Sequence, residues 1–242
     1  MAVGTTKRFY QEVQVGAVEG GFDVRLDGRA IRTPAGKTLA LPTETLAAAV
    51  ADEWRAQSSG QQIRPLAMPM MRLAATAIDR VTPQRAKVVA DTARYAGSDL
   101  LCYRAESPVD LVVRQARHWQ PLLDWAAERY GARMVLAEGI RHQKQDPASL
   151  ASIERAVAAH SDFGLSALFN LTAAMGSVVL SLSLSDGRLD AASAFAAAEL
   201  DALYEIEKWG EDPEATARHA ALRRDIEAGA QFLELLGGAR LL

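Results

Sequence analysis

The chain has 242 residues, 49% apolar and 24% charged, an ordinary composition for a water-exposed fold with room for one large unit or two small ones. A net charge of −3 and a pI of about 5.9 give no general attraction to nucleic acid or to anionic membranes, so neither is expected as a partner. The single cysteine, Cys102, excludes an intrachain disulfide and a thiolate metal cluster, and fits a reducing compartment.

The N-terminus, MAVGTTKRFYQEVQV, lacks the apolar run of a signal peptide and reaches strand-like sequence too soon for a long Arg-rich transit segment. The expectation is a cytoplasmic chain. Residues 8–42 read as β structure. Phe9, Val13 and Val15 alternate in part, and Phe22, Val24 and Leu26 alternate with Asp23, Arg25 and Asp27. Gly20-Gly21, Asp27-Gly28 and Pro34-Ala35-Gly36-Lys37 are turn signals between the short strands, and Ile31, Thr33, Leu39 and Leu41 continue the alternation. A small antiparallel sheet follows, and its apolar face needs a cover. The next segment supplies one: Thr43 is a candidate N-cap, and Leu46, Ala49, Val50, Glu53 and Trp54 recur at helical spacing. Ser58-Ser59-Gly60 ends this helix, and the irregular, Pro-flanked stretch after it places a domain boundary at residue 66. The N-terminal β-rich domain then spans 1–66 and a mainly helical domain 67–242, an α+β organisation.

From residue 69 the periodicity is helical. Leu73, Ala74, Ala77, Ile78 and Val81 share a face, Thr82-Pro83 reads as N-cap and N1 of a further helix, and Gly97 ends it. Residues 98–104 fit a helical turn or a short strand. The helix from Val109 to Tyr130 carries Val109, Val112, Val113, Ala116, Trp119 and Leu122 as its apolar set, with Pro121 expected to kink or split it and Gly131 to end it. Residues 132–138 fit a strand or an extended link, and Asp146-Pro147 opens a helix to about His160. Leu165 to Leu184 contains no charged residue, so it matches the roughly 20 apolar residues of a membrane span. Four serines, Asn170, Thr172 and Gly176 dilute it, and no Lys/Arg cluster flanks it, so the expectation is a helix buried on all sides in a helical bundle, with no membrane insertion. Ala173, Ala174, Gly176 and Ser177 would let neighbours approach closely. Asp190 caps a helix running to Lys208, and Asp212-Pro213 opens the last one.

Signals for chemistry are weak. Gly36-Lys37-Thr38 spells the end of a P-loop, but the required glycine five residues earlier is Ile31, and a hairpin turn accounts for the tripeptide. His118, His142, His160 and His219 form no i, i+3 or i, i+4 pair, so no metal site is read. No nucleophile elbow is present. Catalytic residues and cofactors are both read as none. In the helix 190–208, Phe195, Ala198, Ala202, Ile206 and Trp209 make an apolar stripe, while Asp201 and Glu205 stand at i, i+4 with Lys208 close to the same line. That line is either a solvated face or an acidic docking strip for a partner.

Six stretches taken together resemble one family. They are KRFY (7–10), LDGRAIRTPAGKTLALPT (26–43), ADEW (51–54), MPMMRLAATAID (68–79), YAGSDLLCYRA (95–105) and YEIEKWG (204–210), and they come in the family's order. The family is the assembly chaperone of F-type ATP synthase that binds the free alpha subunit. The resemblance implies a small β domain followed by a larger helical one, no catalytic residue and no cofactor. It implies a chain, monomeric when free, that holds a new alpha subunit until the beta subunit takes its place. Its motif matches Asp201, Trp209, Gly210 and, loosely, Glu205, where the family usually has glutamine; with Lys208 from the same charged line, these are the expected partner-contact residues. Trp54, on the apolar side of its helix, is given a structural role. The alternative reading is a hydrolase-like enzyme with a site between the two domains, around His118 or Asp99.

Overall fold

The computed structural model describes residues 7–139, 141–210 and 212–237. Strands β1 (Val13–Val18), β2 (Gly21–Leu26) and β3 (Arg29–Ala30) form an antiparallel meander in that order. Val13 faces Leu26, Val15 faces Val24 and Ala17 faces Phe22. Phe22 and Leu41 exchange both backbone hydrogen bonds, at 2.9 and 2.8 Å, so the chain returns along the free edge of β2. Gly21 makes that return feasible: its φ is +149°, and a Cβ there would lie 2.1 Å from the Leu41 carbonyl oxygen. The Gly36-Lys37-Thr38 tripeptide closes a tight turn between Arg32 and Thr38, as a hairpin reading requires.

Helix α1 (Glu44–Arg55) covers the sheet. The Thr43 hydroxyl accepts from the Leu46 N–H at 3.2 Å and donates to the Leu235 carbonyl at 2.7 Å, so one cap also ties α1 to a segment 192 residues later. Leu46, Ala47, Val50 and Ala51 are buried beneath it, with about 1.5–3 kcal/mol gained for each fully buried large side chain.

Helix α2 (Pro69–Thr76) passes into a wider π-type turn at residues 77–81 and a 3-10 turn at 82–84 before α3 (Arg85–Ala93). Thr82 is not an N-cap. Its backbone is helical, and its hydroxyl donates to the Ala77 carbonyl instead. Residues 100–102 form a 3-10 turn and 103–104 a strand, β4, which pairs in parallel with β5 (Ala137–Glu138). Helix α4 (Val109–Tyr130) runs through Pro121 unsplit, with Pro121 on its exposed side, and Gly131 ends it at φ +73°. The remaining helices are α5 (Pro147–Ala158), α6 (Asp162–Met175), α7 (Val178–Ser185), α8 (Ala191–Ala198), α9 (Leu200–Trp209) and α10 (Pro213–Leu235).

Two expectations about long helices are corrected. The uncharged stretch is two helices, because Gly176 caps α6 in the left-handed conformation and the Ser177 side chain caps α7 by accepting from Leu180. Nor is all of it buried: Asn170, Ala173 and Ala174 are exposed. Close approach comes from the other side, where Gly229 of α10 leaves room for Leu171. The segment 190–208 is also two helices, broken at Glu199 (φ −104°, ψ 20°). The break offsets the two halves of the apolar stripe, so Phe195 is buried while Trp209 is 77% exposed.

The core of the helical region is α7. Every residue from Val178 to Leu184 is buried. Its two buried serines bond back along the chain, Ser181 donating to Ser177 O at 3.1 Å and Ser183 to Val179 O at 2.8 Å, while Ser185 pairs with His160 at 2.8 Å. Val179, Leu180 and Leu184 join a hydrophobic cluster that continues through α1 to the sheet, whereas Val178 and Leu182 join a second cluster with Ile153, Val157, Leu165 and Leu168. Among the described residues no helix is long and apolar enough to cross a membrane.

Candidate functional site

Helix α9 packs Leu200 and Tyr204 inward and ends at Gly210, whose φ of +92° favours a residue without a side chain. Its neighbour is the N-terminal half of α4, and the two helices are joined by polar side chains. The Tyr204 hydroxyl donates to Asp110 Oδ1 at 2.7 Å, and Lys208 Nζ lies 2.9 Å from Asp110 Oδ2. Arg114 Nη1 donates to Glu207 Oε2 at 2.7 Å. The cations of Arg114 and Lys208 stand 5.3 and 5.1 Å from the Tyr204 ring centre, within cation–π range.

The electrostatics follow from these contacts. The Tyr204 and Lys208 hydrogen bonds pull the Asp110 carboxyl down to about 2. The Arg114 hydrogen bond holds Glu207 below its ordinary value, and the Asp110 bond holds Lys208 above its own. Burial, then the bond to Asp110, raises the Tyr204 phenol. All four groups at neutral pH therefore keep the state that their contacts require.

Asp201 lies one turn before Tyr204 and is half-buried. Its Oδ1 accepts from Gln115 Nε2 at 2.8 Å, and Gln115, itself buried, accepts from the Ala105 N–H at 2.8 Å. Trp119, one turn further along α4, donates its indole N–H to the Ala197 carbonyl at 2.9 Å and fixes α4 on α8. The proposed strip is therefore divided. Asp201 and Lys208 both turn toward α4, Glu205 is exposed, and Trp209 and Gly210 stand at the open end. Trp54 is elsewhere, on α1: its carbonyl accepts from the Tyr10 hydroxyl at 2.6 Å, and its ring meets the Tyr10 ring edge-on at 5.7 Å.

Sequence reasoning missed the α4 half of this face. Val109 and Val113 belong to the periodic apolar set, yet they are 77% and 60% exposed. Asp110 and Arg114, interleaved with them at i, i+4, are the sequence signal that this turn carries a polar, outward face. Large apolar side chains (Val109, Val113 and Trp209) thus stand in water beside a lattice of fixed charges. The two residues named for an enzymatic site are placed differently. Asp99 is buried and holds Ser177, Leu101 and Val179, while His118 is exposed on α4.

Known proteins of the same shape place the chain. A family profile described as "ATP12 chaperone protein" matches residues 7–127. The mitochondrial protein atp12 of Schizosaccharomyces pombe is 24% identical over 215 residues, covering 84% of this chain and 74% of that protein. The crystal structure of Atp12 from Paracoccus denitrificans is 41% identical, with a TM-score of 0.90 over 95% of this chain and 98% of that one. An aspartate-to-lysine mutant of the P. denitrificans protein matches equally well, at 40% identity and a TM-score of 0.90 over 95% and 97% of the two chains. The Atu1473 protein of Agrobacterium tumefaciens is 42% identical, also at 0.90, over 95% of this chain and 86% of that one. With the small antiparallel sheet, the helical region and the family profile all in agreement, this chain belongs to the ATP12 family of ATP synthase assembly chaperones.

Proposed function

We propose that this chain binds the free alpha subunit of ATP synthase through the α4–α9 face and releases it when the beta subunit takes its place. The observation that carries the reading is the exposure of Trp209, Val109 and Val113 around the Asp110–Lys208 and Arg114–Glu207 pairs. An isolated subunit exposes the surface meant for its neighbour, and a holdase needs a complementary surface of its own. Apolar anchors give affinity, and charges already paired within the chaperone cost little reorganisation on docking. Asp201 and Glu205 add negative charge beside the anchors, so a basic or polar patch on the partner fits there. Release by competition needs no nucleotide site on the chaperone.

The test is reconstitution with purified alpha subunit. A one-to-one complex that suppresses alpha-subunit aggregation, with cross-links concentrated on α4 and α9 and loss of the complex on adding beta subunit, is the expected result. Failure of the two proteins to associate overturns the reading. Association with cross-links confined to other elements overturns the assignment of the face.

A further inference from the structure

A concave surface lies on the sheet side of the molecule, away from the α4–α9 face, between α2 and the turn at residues 33–36. It is a cleft of about 410 Å³, within the range of specific ligand sites. Trp54, Ile63, Met68 and Met71 line its apolar part. Two arginines, Arg32 and Arg72, come to it from different elements. Two carboxylates stand behind its wall, outside the lining: Glu53, whose charge Arg72 feels, accepts from the Met70 and Met71 N–H groups, and Asp79 accepts from Thr33 and Ala35. Arg32 is anchored by a bond to the Gly36 carbonyl at 2.9 Å, while Arg72 is exposed and has no ion pair among the described residues. The Trp54 indole N–H is buried without an acceptor among the described residues.

We propose that this cleft is a second docking site, which takes an apolar side chain flanked by carboxylates from a segment of a protein partner. The lining carries the argument. Methionine side chains are flexible and polarisable, and they adapt to varied apolar partners. Two guanidinium groups without a lining carboxylate favour an anionic occupant and can pair its carboxylates bidentately. Because the cations arrive from two different elements, a segment with a carboxylate on each side of its anchor satisfies both, which a single head group does less well. The choice of a protein segment rests on membership of a chaperone family. It does not rest on the α4–α9 assignment, so the two sites stand or fall separately.

The experiment uses the full chain labelled with ¹⁵N and reads the indole N–H signals of its four tryptophans. The probes are an acetylated peptide of sequence GSELLESG, its counterpart with both glutamates replaced by lysine, and sodium decanoate. The expected result is a shift of the Trp54 signal with the glutamate peptide, no shift with the lysine peptide, and at least tenfold weaker binding in Arg72→Gln and in the double variant Arg32→Gln/Arg72→Gln. Because the lysine peptide is tested on the unaltered protein, the charge requirement is read even where a variant loses stability. A Trp54 shift with decanoate but not with the glutamate peptide overturns the proposal in favour of a small amphipathic carboxylate. A shift of Trp209 with Trp54 unmoved places the peptide on the other face and overturns it too, as does the absence of any shift.

Discussion

Asp99 accepts the backbone N–H of Val179, 80 residues later in the chain, at 3.1 Å. The same carboxylate accepts from the Ser177 hydroxyl at 2.7 Å and from the Leu101 N–H at 3.1 Å. It therefore supplies acceptors to the first turn of α7, the helix whose residues are buried throughout. Asp99→Ala orphans these buried donors and is expected to cost on the order of 3 kcal/mol, read from denaturant unfolding. Burial pushes the Asp99 carboxyl up to about 6 from an ordinary 3.8. The folded state thus holds its proton more tightly than the unfolded state, so this contribution to stability is full below about pH 3.8 and is lost as pH rises through about 6. Asp99→Asn should lack that part of the slope. An unchanged slope would remove Asp99 as its source.

Glu53 plays a similar part between α1 and α2. Its two carboxylate oxygens accept from the Met70 and Met71 N–H groups at 2.6 and 2.8 Å, at the start of α2. Burial raises its carboxyl to about 7, against the opposing effect of those two bonds and of Arg72. The sign is the same as for Asp99. Stability from this group is full below about pH 4.5 and is lost as pH rises through about 7. Glu53→Gln keeps one acceptor and removes the titration. Its unfolding free energy, measured between pH 4.5 and 7.5, should fall less steeply with pH than that of the unaltered chain.

Ala174 is one of the exposed residues of the uncharged stretch. It is on the outer side of α6, so Ala174→Asp is expected to fold, at a cost of no more than about 1 kcal/mol for a negative charge near a helix C-terminus. Leu182→Asp puts a charge in the centre of α7, fully buried, and should prevent folding. Circular dichroism and thermal melting of the two variants distinguish these positions.

Gly229 is buried in α10 opposite Leu171, and a Cβ there would lie 2.7 Å from Leu171 Cδ2 and Cγ. Leu171 is 1% exposed and has little room to yield. Gly229→Ala should therefore destabilise by about 1–3 kcal/mol, although alanine is the better helix former. A stabilised variant would show that α6 and α10 are less closely packed than this.

Trp209→Ala removes an exposed side chain and should leave the unfolding free energy within about 0.5 kcal/mol. Its affinity for alpha subunit, by titration calorimetry, should fall at least tenfold, as expected for a tryptophan anchor. Asp201→Lys should weaken the complex as well, with the circular dichroism spectrum unchanged. Full affinity in both variants would remove the end of α9 from the contact.

Much of the architecture is legible in the chain because its signals are local. Thr43, Asp146, Asp190 and Asp212 each cap the helix expected of them, since a cap needs only an acceptor and the next two or three N–H groups. Gly176 followed by Ser177 was a readable stop and start, but the lack of charge across the stretch masked it. The break at Glu199 has no such signal. There Glu199 meets His219 of α10 at 2.8 Å, a pairing that no residue near Glu199 announces. Pro121 sent the opposite message: it marks a break in most helices, yet it stands on an exposed side of α4, where the helix runs on.

The sequence by itself determined the α+β order, the turns, most helix starts and, through six dispersed stretches, the family. These depend on backbone preferences within a few residues, or on residue types that can be compared directly. Only the tertiary structure decided which residues share the candidate face. Asp110 meets Lys208 and Arg114 meets Glu207 across more than ninety residues, and Val109 and Val113 are left in water because α4 buries its opposite side against α7, α8 and α9. A helical repeat tells which side chains point the same way; packing against neighbours decides which of those directions is the outside.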